Sequence, residues 1–216
     1  MLSPEIIQTA PKILLHDHLD GGLRPSTIVQ LAKDSEIRSL PTYNANELGD
    51  WMTATADRKD LELYLEAFSH TLSVMQTQDA LYRVAAECAE DLAEDGIIYA
   101  EVRFAPELHL SKGLTVTQVI ESVLEGFKSG SEGKGIIVNT LICAIRSRAR
   151  SKEMMEHAYY NDECVGFNTL GFFKNTVELL KPSHFFSDID GIYVKKSIVN
   201  SLQSQIKEIE LINKSK

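Results

Sequence analysis

The sequence predicts an α/β fold: the N-terminal half of a metal-dependent eight-stranded (β/α)8 TIM-type barrel, incomplete, with four recognisable parallel strands and a divergent tail. Three observations carry this. Apolar, strand-like runs at 13–18, 97–104, 136–145 and 164–170 alternate with amphipathic helical stretches, the pattern of parallel strands joined by helical crossovers. The first run ends in His16-Asp17-His18, which places two imidazoles at a strand's C-terminal end, where barrel hydrolases build their sites. The chain has 216 residues, whereas a closed barrel of this kind takes about 250.

In strand one, Ile13-Leu14-Leu15 leads into the histidines. Arg24-Pro25-Ser26 opens a helix that runs to Lys33, with Pro25 tolerated in the first turn and Ile28, Leu31 and Ala32 at helical spacing. Pro41-Thr42-Tyr43-Asn44 is a loop, and 46–55 forms a short helix carrying Trp51. Leu61, Leu65, Phe68 and Leu72 recur at helical intervals through 60–74. The next helix starts at Thr77-Gln78-Asp79 and stops at Glu94, ahead of Gly96, a residue that terminates helices. Strand two, 97–104, is followed by Pro106. A helix over 115–128 and a glycine-rich turn over 130–135 lead to strand three, 136–145, interrupted only by Asn139 and Thr140, as expected of a strand covered on both faces. A helix over 149–159 and strand four complete the pattern. Residues 1–171 therefore read as the barrel portion. Residues 172–216 read as a tail and not as a separate domain: it lacks alanine and arginine and is weakly basic, while the acidic excess lies before it. Its one helical pattern, 197–212, uses Ile198, Leu202, Ile206, Ile209 and Leu211.

Composition narrows the function. A formal net charge of −9 disfavours nucleic acid and anionic membrane as partners, because both would repel the chain. No run of about 18 apolar residues offers a membrane span, and no basic-then-apolar leader opens the sequence. Cys88, Cys143 and Cys164 lack paired spacing and read as small buried thiols, which fits the cytoplasm. A half-barrel leaves one sheet edge uncovered, so self-association is expected there.

The candidate site lies at the end of strand one. Alternation along a strand turns His16, His18 and Asp20 to one face and Asp17 and Leu19 to the other. Two imidazoles so placed can converge on one ion, and zinc favours imidazole nitrogen. Elsewhere the bland readings prevail. His70 lies on an amphipathic helix as a solvent-facing or packed histidine, and Glu101 and Arg103, on one face of strand two, form an interior ion pair. Glu107 and His109 follow Pro106 in a loop that can reach a barrel mouth.

Three blocks carry a family resemblance. Ala10-Pro11-Lys12-Ile13-Leu14-Leu15-His16-Asp17-His18-Leu19-Asp20-Gly21-Gly22 resembles the opening of bacterial adenosine deaminases. Ala100-Glu101-Val102-Arg103-Phe104-Ala105-Pro106 resembles that family's second barrel strand, and Val165-Gly166-Phe167 through Gly171 the strand whose glycine approaches the purine. The resemblance spans residues 4–171 and implies hydrolytic deamination of adenosine and 2′-deoxyadenosine with zinc as cofactor and a purine nucleoside as small-molecule partner. It implies that His16 and His18 are zinc ligands, that His18 also lies close to substrate, that Asp20 holds the ribose 5′-hydroxyl, and that the Gly171 backbone contacts the purine. The family's remaining machinery has no counterpart in 172–216: a His-Ala-Gly-Glu motif, a hydroxide-steering histidine and an Asp-Asp pair. His184 has the wrong neighbours, and Asp188 and Asp190 are two apart. The expectation is a truncated family member, weakly active or inactive alone. The alternatives are a non-catalytic remnant or binding module, and a metal-dependent amidohydrolase of another substrate class.

Overall fold

The computed structural model describes residues 3–57, 61–145, 150–161, 164–170, 185–187 and 192–195. Gly171, His184, Asp188, Asp190 and the 197–212 helical pattern lie outside them. The chain divides into two compact units, Met1–Asn139 and Thr140–Lys216.

The first unit opens with α1 (Pro4–Thr9), a helix that sequence periodicity did not reveal. Six residues are too few to show a repeat, but Ser3 caps its start and Pro4 occupies the first turn. Strand β1 (Lys12–His18) runs into a single 3₁₀ turn, Leu19–Gly21. Four helices follow: α2 (Pro25–Asp34), α3 (Ala45–Ala56), α4 (Leu61–Val74) and α5 (Gln78–Glu94). Their starts are chemically marked. The Asn44 side chain accepts from the amides of Asn46 and Glu47, and the Thr77 hydroxyl from that of Ala80, satisfying donors that a helix N-terminus leaves open. Helix α5 ends where expected: Gly96 follows its cap with φ +78°, in the left-handed region that glycine adopts at least cost.

Strand β2 (Ile97–Phe104) pairs in parallel with β1 and continues into a second 3₁₀ turn, Pro106–Leu108. Helix α6 (Val116–Ser131) begins with a reciprocal capping box between Thr115 and Gln118. It packs tightly on α5: a Cβ at Gly126 would lie 2.3 Å from the Tyr82 carbonyl oxygen, so no larger residue fits. Arg24, at the start of α2, ties that helix to α5 through Asp91 (Nη2–Oδ1 2.6 Å) and Glu90 (3.1 Å). Leu19, Ile28, Leu48, Met75, Leu81 and Phe104 are fully buried and form the core of this unit.

Strand β3 (Ile137–Ile145) begins in the first unit, where Asn139 Nδ2 donates to the Tyr99 hydroxyl at 3.1 Å. From Thr140 onward β3 belongs to the second unit and pairs in parallel with β4 (Cys164–Leu170) across α7 (Ser151–Tyr160). Two short strands, β5 (Phe185–Ser187) and β6 (Ile192–Lys195), then depart from the parallel pattern. β6 runs antiparallel to β4, and β5 antiparallel to β6. Cys143 and Cys164 are buried, and Cys88, half-buried on α5, has its thiol pushed up to about 12 by burial and by the charges of Asp17 and Asp91. Among the described residues no helix is long and apolar enough to cross a membrane.

Candidate active site

The end of β1 is not a regular strand. Leu14 lies opposite Ala100 and Asp17 opposite Val102, so β1 spends three steps where β2 spends two. This is a β-bulge at Leu15–His16, and it reverses which face each later side chain takes. Ala100 and Val102 are fully buried. Asp17 shares their face and acts on Cys88 of α5, which marks this as the helix-covered side. His18 is thereby paired with Arg103, on the opposite face of the sheet.

The two imidazoles come together, with ring centroids 5.5 Å apart and planes tilted by 36°. His16 is exposed and His18 half-buried. Burial lowers the His18 pKa, the charges of Arg103 and His16 lower it further, and Asp17 opposes them. The neutral ring is the form that can offer nitrogen to a cation. The Asp17 carboxylate accepts from the His18 amide at 2.9 Å, which fixes the backbone between the histidines.

Asp20 sits in the 3₁₀ turn and is 9% exposed. Its Oδ1 is buried without a hydrogen-bond partner and lies 4.0 Å from His18 Nδ1. Burial raises its pKa, with its own backbone amide acting the other way. A buried carboxylate oxygen with an unused acceptor is costly to keep unless something else binds there. Phe68 of α4 covers the neighbouring Gly21, 3.4 Å from where a Cβ would stand.

Strand two contributes Arg103, 1% exposed, whose Nη2 donates to the Leu15 carbonyl at 3.3 Å. Arg103 does not pair with Glu101 as the strand alternation suggested: Glu101 Oε1 accepts from the Tyr99 hydroxyl at 2.9 Å. Glu107 and His109 do not line an open mouth either; both are fully buried. His109 Nδ1 donates to the Met75 carbonyl at 2.9 Å, leaving Nε2 as a buried acceptor, and burial lowers its pKa to about 4. Beside it, Gln76 donates to the carbonyls of Leu72 and Leu108 and accepts from the amide and hydroxyl of Ser111, locking the end of α4 to the loop after β2. His70 packs its ring edge-on against Trp51, 5.4 Å away.

The structure therefore brings His16, His18 and Asp20 together. Gly171 lies outside the described residues. The contact that sequence reasoning missed is Arg103 with Leu15, because an alternation rule assumes an unbulged strand. His16 and His18 fit two nitrogen positions of a divalent cation, but among the described residues no group of three or more ligating side chains assembles.

The family profile described as adenosine deaminase matches residues 11–202. The chain belongs to the adenosine deaminase family. Adenosine deaminase 1 of Streptomyces coelicolor is 56% identical over 176 residues, covering 78% of this chain and 44% of that protein. The adenosine deaminase of Mycobacteroides abscessus is 52% identical over 172 residues, covering 76% and 48%. Among solved structures, the Arabidopsis N6-mAMP deaminase superposes with a TM-score of 0.65 at 25% identity, covering 77% of this chain and 52% of that one. A zinc-bound amidohydrolase from Burkholderia ambifaria gives the same TM-score at 20% identity, covering 81% and 48%. The chain spans about half the length of the curated relatives it matches. Its α/β architecture is that of part of the deaminase barrel.

Proposed function

We propose that this chain carries the first half of a zinc-dependent site that hydrolyses adenosine and 2′-deoxyadenosine to the corresponding inosine and ammonia, within purine metabolism in the cytoplasm. The observation that carries the reading is the convergence of His16, His18 and Asp20 at the C-terminal end of β1 in an adenosine deaminase family member. Zinc, when bound, supplies the Lewis acidity that makes water nucleophilic near neutral pH. His16 and His18 would hold it with neutral imidazole nitrogen. Asp20 offers its open Oδ1 to a ribose 5′-hydroxyl donor, which favours a nucleoside over a free base. Gly171 is proposed for the purine contact on the strength of the resemblance alone.

A second reading has its own support. A catalytic zinc ordinarily takes three protein ligands, and the described residues assemble two imidazoles. On that basis the 216 residues by themselves bind zinc and nucleoside weakly and turn over little or nothing. Ile13 and Leu15 on β1 are 64% and 55% exposed, and β1 pairs only with β2 among the described residues, which supports self-association along that edge.

The test is zinc uptake by competition with a coloured chelator, followed by loss of adenosine absorbance in the ultraviolet, for the parent chain and His16→Ala. Zinc binding that weakens in His16→Ala supports the site, with or without turnover. Equal zinc binding by parent and mutant refutes it. Turnover that vanishes in the mutant overturns the half-site reading and shows that these residues complete the chemistry.

A further inference from the structure

The bulge in β1 decides what the site can do, because without the extra residue His18 would share the helix-covered face of Ala100 and Val102. A bulge also interrupts the ladder, so a backbone group inside it needs another partner. The Leu15 carbonyl lies inside the bulge and accepts from Arg103 Nη2 at 3.3 Å. Arg103 stands opposite His18 in the register, is 1% exposed, and makes no ion pair among the described residues; its Nε lacks any hydrogen-bond partner there. A buried guanidinium without a carboxylate is expensive for the fold. The one hydrogen bond it makes among the described residues is with the bulge.

We propose that Arg103 is a positioning residue for the histidine pair: its guanidinium clamps the bulged Leu15 carbonyl, and so fixes the face to which β1 delivers His16 and His18. The clamp works from the neighbouring strand. It sets the direction of residues 16–18 without touching substrate, and Asp17 completes the restraint by accepting from the His18 amide. The inference rests on the reading that these two rings act together as metal ligands, but the clamp has a signature of its own in the metal-free chain.

That signature is the ring-to-ring nuclear Overhauser cross-peak between His16 and His18, whose centroids are 5.5 Å apart. The variants are Arg103→Lys, which keeps a donor on a long stem, and Arg103→Met, which keeps the stem without the donor. The parent and Arg103→Lys are expected to show the cross-peak, and Arg103→Met to lose it, with the amide signals of α5 and α6 unmoved. Zinc affinity should fall about tenfold in Arg103→Met and no more than about threefold in Arg103→Lys, the order expected when one hydrogen bond to a charged group is lost or kept. An undiminished cross-peak in Arg103→Met overturns the proposal, as does its absence from the parent. Should Arg103→Met fail to fold, Arg103→Gln replaces it. Its shorter side chain falls short of Leu15, and an undiminished cross-peak there is equally fatal. A parent that shows the cross-peak but takes up no zinc refutes the metal reading while supporting the clamp.

Discussion

His109 gives the first unit a built-in acid sensitivity whose size follows from its surroundings. The ring is fully buried, and its Nδ1–H is committed to the Met75 carbonyl. Burial is the dominant influence and lowers its pKa from 6.5 to about 4, against the smaller opposing effect of that carbonyl. In the unfolded chain the same ring titrates normally. The stabilisation is therefore complete above the unfolded value of 6.5 and is lost as pH falls through about 4. At about 1.4 kcal/mol per pH unit, the interval amounts to about 3 kcal/mol of unfolding free energy. The perturbation is His109→Asn, whose amide keeps a donor for Met75 and cannot titrate. Urea unfolding is followed by the fluorescence of Trp51, the one tryptophan, at several pH values from 7 to 4. His18 and His70 also have lowered values, but they are common to both proteins and cancel in the difference. Parent stability should fall relative to the variant by about 3 kcal/mol over that range. A difference between the two proteins that stays constant with pH would refute the assignment of His109 as a buried neutral ring.

Three further outcomes are expected. Gly126→Ala would place a Cβ 2.3 Å from the Tyr82 oxygen and 2.7 Å from Ala85 Cβ, so thermal unfolding should reveal a loss of about 2 kcal/mol as α5 and α6 move apart. Thr115→Ala removes the hydroxyl half of the α6 capping box, leaving the Thr115 amide on Gln118 Oε1, and should cost about 1 kcal/mol in denaturant titrations. Asp20→Asn should act in the other direction. Burial holds the Asp20 carboxyl above its ordinary value of 3.8, so ionisation costs the folded state stability as pH rises through that higher value. The variant should be more stable than the parent at pH 7 and show no advantage at pH 3, and calorimetry at the two pH values distinguishes this from a uniform effect.

How much of this was legible in the sequence depended on whether a single local signal sufficed. The boundaries of β1, β2 and α5 followed from apolar runs and from Gly96, and the structure matches them closely. The gathering of His16, His18 and Asp20 was expected from alternation along one strand, but the structure reaches it another way: the bulge interrupts that alternation after Leu14, and Asp20 stands in the 3₁₀ turn beyond the strand. The bulge was not legible: it depends on how β1 pairs with β2, and neither strand alone encodes the mismatch. The same blindness led Glu101 and Arg103 to be read as partners. Glu107 and His109 follow a strand-ending proline, where a loop to solvent is the natural expectation. The loop is instead held inward by residues some thirty positions earlier, Gln76 donating to the Leu108 carbonyl and Met75 accepting from His109. The antiparallel β5 and β6 lie in a stretch whose three- and four-residue strands are too short for alternation to show.

The four hydrogen bonds of Gln76 have a mechanical consequence for α4. They hold the C-terminal end of that helix against the loop after β2, so any rocking of α4 must turn about that end. Phe68 stands about eight residues away from the pivot, or roughly 12 Å along the axis. A tilt of only about 10° would then carry its ring roughly 2 Å across Gly21, by the same helix geometry. The ring over Gly21 thus rides on a lever arm, and the glutamine, buried well away from it, is the fulcrum.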